Sequence, residues 1–143
     1  LFLAMLAAGR WLLPRLLELL ELAKAQGITV AIDAEESARL DVELELFTRA
    51  FTHPSLAGWE GLGFVAQAYS RRAPRVIEYL AGLAEQSGKR MPVRLVKGAY
   101  WDSEIKAAQV QGLADYPVFT EKAHTDVSFA ACAWMLLQRT DVF

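Results

Sequence analysis

Helix-like and strand-like patterns alternate along the 143 residues, and the strand-like runs are short and almost wholly apolar. Three of these runs carry a polar residue at or near the C-terminal end: Asp33, Gln67 and Arg94, separated by 34 and then 27 residues. No glycine-rich GxGxxG turn and no P-loop follows any of them. Together these features predict an α/β fold, a portion of a (β/α)8 TIM-like barrel with about three to four βα units, not a complete barrel. Near-continuous apolar strands are expected to be buried on both faces, hence in a parallel sheet covered by helices. A dinucleotide-binding sheet would need the missing fingerprint. A closed eight-stranded barrel needs about 250 residues.

Each element has its own signal. Residues 14–26, PRLLELLELAKAQ, repeat leucine at helical spacing, with Pro14 suited to the first turn and Gly27 to the stop. The strand ITVAID, 28–33, ends in Asp33. A second helix is expected over 36–51, with Leu40, Leu44, Phe47 and Phe51 on one face. Glu35 and Glu36 read as acidic charge complementing the dipole at its start. After the turn-rich loop HPSLAGWEGLG come the strand GFVAQAY, 63–69, and the helix SRRAPRVIEYLAGLAEQSG, framed by Pro74 and Gly88. The third strand is MPVRLVKG, 91–98, followed by the helix DSEIKAAQVQGL, 102–113. YPVFT, 116–120, reads as a fourth strand or an extended loop. The last helix is expected to start near Thr125 or Asp126, since either can cap.

Composition narrows the function. A net charge of −2 with no block of like charge gives no reason to expect nucleic acid or an anionic membrane as partner. Cys132 is the single cysteine, so the chain has no internal disulfide and no cysteine metal cluster; its setting, AACAWMLL, reads as a small buried hydrophobe. His53 and His124 do not form a close ligand pair, and no metal site is indicated. The opening LFLAMLAAGRWLL lacks the preceding positive charge of a signal peptide and is too short to span a bilayer. Residues 1–13 are expected to form an irregular or helical start. Chemistry then falls to Asp, Gln, Arg, Lys and Tyr side chains, with a cofactor.

The strand VRLVKG sets Arg94 and Lys97 among Val93, Leu95 and Val96. Cations buried in such a run need an anion or hydrogen-bonding partner. Ligand sites in parallel α/β folds lie at the carboxyl ends of the strands, so an anionic or electron-rich ligand is expected there. The alternative, that these polar residues only cap neighbouring helices, explains Asp33 well and Arg94 badly.

The stretch RLVKGAYWDSEIK, together with AIDAEE, GFVAQAY and YPVFTEKAHTDVSFAACA, resembles proline dehydrogenase. The resemblance is strongest to the proline dehydrogenase domain of bacterial bifunctional proline-utilisation flavoenzymes. It covers roughly residues 14–138, with the motifs in order and at their spacing; residues 1–13 match poorly, and 14–143 correspond to the central part of an FAD-binding barrel domain. The resemblance implies a distorted (βα)8 barrel holding FAD non-covalently at the strand C-termini. It also implies oxidation of L-proline to Δ1-pyrroline-5-carboxylate, a membrane quinone as electron acceptor, and a cytoplasmic enzyme able to sit peripherally on the inner membrane. By motif match Arg94 contacts the flavin ring near the atom that receives the hydride, and Gln67 hydrogen-bonds the ring. Val96, Lys97 and Gly98 line the cofactor. Thr120, Glu121 and Lys122 approach its nucleotide end, which favours a loop for YPVFT. Asp33 and Tyr100 match active-site residues near the substrate.

The chemistry of these side chains suits that assignment. A fixed guanidinium stabilises the charge that a hydride acceptor develops, and arginine stays protonated where lysine need not. Glycine at 98 permits close backbone approach to a ligand. The family's substrate-contacting lysine on an earlier strand and its paired arginines on a late helix have no counterpart; Arg71 and Arg72 follow the GFVAQAY strand and do not match. The chain is therefore expected to be the middle of such a barrel. Through unpaired strand edges it is expected to self-associate, with little or no activity of its own. The other reading is a non-catalytic flavin-binding or assembly fragment.

Overall fold

In the computed structural model, which describes residues 8–143, a π-helical turn, Ala8–Leu12, runs into helix α1, Leu13–Ala25. The rest of the irregular or helical start expected over 1–13 lies outside the described residues. Pro14 occupies the first turn of α1, and Gly27, at φ 67°, turns the chain into strand β1, Val30–Ile32. A 3-10 turn, Ser37–Arg39, leads into α2, Leu40–Phe51. Strand β2, Leu62–Gln67, is followed by α3, Ala73–Ser87, which ends on Gly88 in the left-handed region. Strand β3, Val93–Val96, precedes α4, Trp101–Val110, and the last helix, α5, spans Lys122–Leu137.

The strands form a parallel sheet in the order β1-β2-β3. Val30 pairs with Leu62, and Phe64 pairs with Val93. Side chains alternate across a strand, so Val30, Ile32, Leu62, Phe64 and Val93 join one core against the helices. At its centre Phe64 meets Phe47 edge-on at 5.0 Å, and Phe47 stacks on Phe51 at 5.5 Å. A smaller cluster of Ala73, Ile77 and Cys132, with Leu95 against it, fastens α3 and α5 to β3. Cys132 is fully buried, and that burial pushes its thiol pKa up.

Among the described residues the helical core covers one face of the sheet. The expectation of strands buried on both faces is thus corrected. Central β2 is buried along most of its length, whereas Ala31 of β1 and Arg94 of β3 point to the open face and are exposed. YPVFT is a loop, the alternative that the resemblance favoured, bridged to the segment after β2 between Ser70 and Val118. One other expectation shifts. Helix α5 begins at Lys122, earlier than Thr125 or Asp126, with Glu121 in the cap position and no side-chain cap bond.

Below the sheet the chain is clamped by lysines. Lys89, buried, donates from Nζ to the carbonyls of Phe51 at 2.5 Å and Leu56 at 3.3 Å, and lies 4.1 Å from the Phe51 ring centroid. Lys24 reaches the carbonyls of Ser55 and Ala57 at 2.8 and 3.2 Å. The 3-10 turn Pro54–Leu56 is held between them. Lys89→Met keeps the packing stem but strands two carbonyls. It is expected to lower stability by about 1.5–3 kcal/mol, read as a reduced urea midpoint.

Candidate active site

Because the strands are parallel, their C-terminal loops leave the sheet on one rim. Asp33 follows β1 directly, Gln67 closes β2, and Arg94 sits on β3 beside Val65. Arg94 Nη2 donates to Asp33 Oδ1 at 2.6 Å, across the width of β2. The side chains are 55 % and 78 % exposed. An ion pair this open contributes at most about 1 kcal/mol. The expectation of buried cations at Arg94 and Lys97 is therefore corrected: Arg94 lies on the face the helices leave open. Lys97 leaves the strand end and donates to Asp126 Oδ1 at 2.5 Å.

Two further contacts tie the rim together. Gln67 donates from Nε2 to the Glu35 carbonyl at 2.8 Å and accepts from the Ala99 N–H at 3.1 Å. The Glu104 carboxylate, 5 % exposed, accepts from the Ser37 N–H at 2.5 Å and from its hydroxyl at 2.6 Å. Hydrogen bonds to a charged group are worth about 1.5–3 kcal/mol, more than the exposed ion pair. Glu104 falls within the RLVKGAYWDSEIK motif, but the sequence reading gave it no role of its own.

Asp33, Gln67, Arg94, Val96 and Tyr100 line an open pocket of about 390 Å³. Thr120 and Lys122 line a second of about 370 Å³, with Tyr69 and Trp101. Lys97 and Gly98 border both, so they form the sill between them. Glu121 lines neither. Asp126 receives Lys122 at 2.6 Å as well as Lys97, and these bonds, Lys122's foremost, hold its carboxyl below the usual range. The same pairing raises the Lys122 ammonium pKa. Trp101 donates from its indole to the Phe119 carbonyl at 2.9 Å. Arg71 and Arg72 are engaged elsewhere, by Asp115 and Asp41.

The sequence model for proline dehydrogenase matches residues 2–143. The chain belongs to the proline dehydrogenase family. It is 56 % identical over 126 residues to the bifunctional protein PutA of Escherichia coli, covering 88 % of this chain and 10 % of that protein. A hydroxyproline dehydrogenase of Bos taurus is 30 % identical, with 87 % of this chain and 27 % of that protein covered. Among solved structures, a mutant of Bradyrhizobium japonicum proline utilization A superposes with a TM-score of 0.93 at 46 % identity, over 96 % of this chain and 14 % of that one. The proline utilization A of Bdellovibrio bacteriovorus inactivated by N-propargylglycine gives the same TM-score at 33 % identity, over 97 % of this chain and 14 % of that one. The chain thus spans about a tenth of the length of the bifunctional PutA relatives it matches.

Within this proline dehydrogenase rim, three local features explain residue choices. Gly98 adopts φ 140°, and a Cβ there would overlap the Tyr69 ring. Glycine is therefore required at this point by the Tyr69 ring. Tyr69 is buried with no partner for its hydroxyl among the described residues; burial, and then Glu104, push its pKa up. Tyr100 is raised too, chiefly by the charge of Glu35.

Glu43, half-buried behind the β1 loop, accepts from the Glu35 N–H at 2.9 Å, yet desolvation pushes its pKa up to about 7 from 4.5. Between those values the unfolded chain releases this proton and the folded chain keeps it. Stability should fall as pH rises through that window and level off above it. Glu43→Gln retains the acceptor and removes the charge. Its gain in urea midpoint over the parent is expected to be larger at pH 8 than at pH 5.

Proposed function

We propose that this chain forms the flavin-facing arc of a (β/α)8 barrel that oxidises L-proline to Δ1-pyrroline-5-carboxylate with FAD. The observation that carries the reading is the convergence of Asp33, Gln67, Arg94 and Tyr100 on one pocket at the strand C-termini, joined through Lys97 and Gly98 to a second pocket. The sheet order without reversal and the uncovered face support an arc of barrel wall. The donor set suits FAD. Arg94, Gln67 and the backbone of Val96 and Gly98 offer planar and main-chain groups to a ring, while Lys97 and Lys122, with Thr120 and the Glu121 segment, offer cations to phosphates.

FAD, when bound, supplies the hydride acceptor. The chain's own residues position and polarise. Arg94 keeps its charge through the reaction and opposes the negative charge that develops beside it. Asp33 orients Arg94 and faces the substrate side of the pocket. The acidic neighbours of Tyr100 keep its phenol protonated, so it remains a hydrogen-bond donor. With the proline amine neutral, loss of hydride leaves the protonated imine, whose proton passes to water with no protein base required. A quinone acceptor, a cytoplasmic setting with peripheral membrane contact, and self-association through the open sheet belong to the same reading. No described helix is long and apolar enough to cross a membrane.

A second reading, flavin binding without turnover, is favoured by the openness of the site, since Arg94 and Asp33 are both more than half exposed. One experiment separates the two: the visible absorption spectrum after incubation with FAD and desalting. Retained flavin that bleaches with L-proline supports oxidation. Retained flavin that does not bleach supports the second reading. Loss of flavin on desalting rejects both.

A further inference from the structure

Glu104 belongs to the RLVKGAYWDSEIK motif, yet it lines neither pocket. Both of its oxygens go to one residue, Ser37, through the amide and the hydroxyl. Ser37 opens the 3-10 turn after the β1 loop, and Glu104 lies in the first turn of α4, after the β3 loop. The contact therefore crosses above β2, from the segment that starts at Asp33 to the segment that starts at Lys97. Gln67 makes a second crossing between the same loops, from the Glu35 carbonyl to the Ala99 amide. The Asp33–Arg94 pair is the third and the most exposed. An open ion pair in water holds its partners loosely. A buried carboxylate with both oxygens engaged resists release, because letting go would strand its charge away from solvent.

We propose that Glu104 is a positioning residue: by gripping Ser37 it fixes the β1 loop so that Asp33 faces Arg94. What that pair then does for proline oxidation rests on the functional reading above; the clasp itself does not. A residue that merely stabilised the fold would affect the whole chain evenly, whereas this one should act on two loops.

Amide hydrogen exchange on the 143-residue chain, without flavin, tests the clasp. Glu104→Gln is expected to speed exchange at Glu35, Ser37 and Ala99 by about tenfold or more, while Phe64 and Ala68 change by less than about twofold. Ser37→Ala, which removes the hydroxyl alone, should accelerate the same three amides by a smaller factor and settles the matter if Glu104→Gln fails to fold. In the double variant the two effects should fall short of the product of the single ones. Even acceleration along the chain, or none at the three amides, overturns the proposal. Where the flavin-loaded parent bleaches with L-proline, Glu104→Gln should retain flavin like the parent and bleach at least about fivefold more slowly; an equal rate then also overturns it. Failure of the parent to retain flavin would count against the functional reading, and the exchange pattern would then decide on Glu104.

Discussion

Phe47→Ala is expected to leave the chain largely unfolded in dilute buffer at 25 °C. Phe47 is fully buried, and its ring touches both Phe51 of its own helix and Phe64 of the central strand. Truncating such a ring costs about 3–5 kcal/mol, against a total of about 5–15 kcal/mol for a typical domain. A sheet with one face open buries less apolar surface than a closed barrel, which places this chain near the low end of that range. Loss of the ring also loosens α2, and with it the Pro54–Leu56 turn that Lys89 holds through the Phe51 carbonyl. Circular dichroism and a urea titration give the answer. A variant within about 1 kcal/mol of the parent would mean that the core closes over the gap, and that the Phe47–Phe64 contact is not what joins helix to sheet.

If the flavin-loaded chain bleaches with L-proline, Arg94→Ala is expected to slow that bleaching by about 10²–10³-fold, the usual loss when a preorganised donor to developing charge is removed. Arg94→Lys should recover part of the rate, since it restores the charge without the planar fork. The pairing with Asp33 uses Nη2, and the guanidinium has further N–H groups to offer. Asp33→Asn should therefore cost less than Arg94→Ala. Equal rates for the Arg94→Ala variant and the parent would show that the open-face cation is not part of the chemistry.

Much of this rim could be read in the sequence, and the residues that could not share a cause. The apolar runs at 28–33, 63–69 and 91–98 cover the three strands but for Leu62, because a parallel strand leaves few other patterns open to it. Gly27 and Gly88 stop α1 and α3 where left-handed backbone is needed. Which face of the sheet lies open is a tertiary fact, however, and so Arg94 was expected inside and is found outside. The start of α5 was missed because Thr125 and Asp126 look like caps but serve elsewhere: Thr125 is buried and Asp126 is spent on two lysines. Glu104 lies inside the RLVKGAYWDSEIK motif, but its role was not legible, since its partner Ser37 is 67 residues away. Gln67, by contrast, was legible as a polar residue closing an apolar strand.

The order β1-β2-β3 also bears on how the chain acquires its shape. Val30 pairs with Leu62 and Phe64 with Val93, so each pairing closes a loop of about thirty residues and requires nothing downstream of it. Parallel pairs separated by this much chain close slowly, because the loop's entropy is lost before the pairing rewards it. A ribosome extending the chain by about 5–20 residues per second would complete β2 about 1.5–6 s before β3. The first pair can then zip while β3 is still being made, and each new strand finds a finished edge to join, so the sheet can grow in the direction of synthesis.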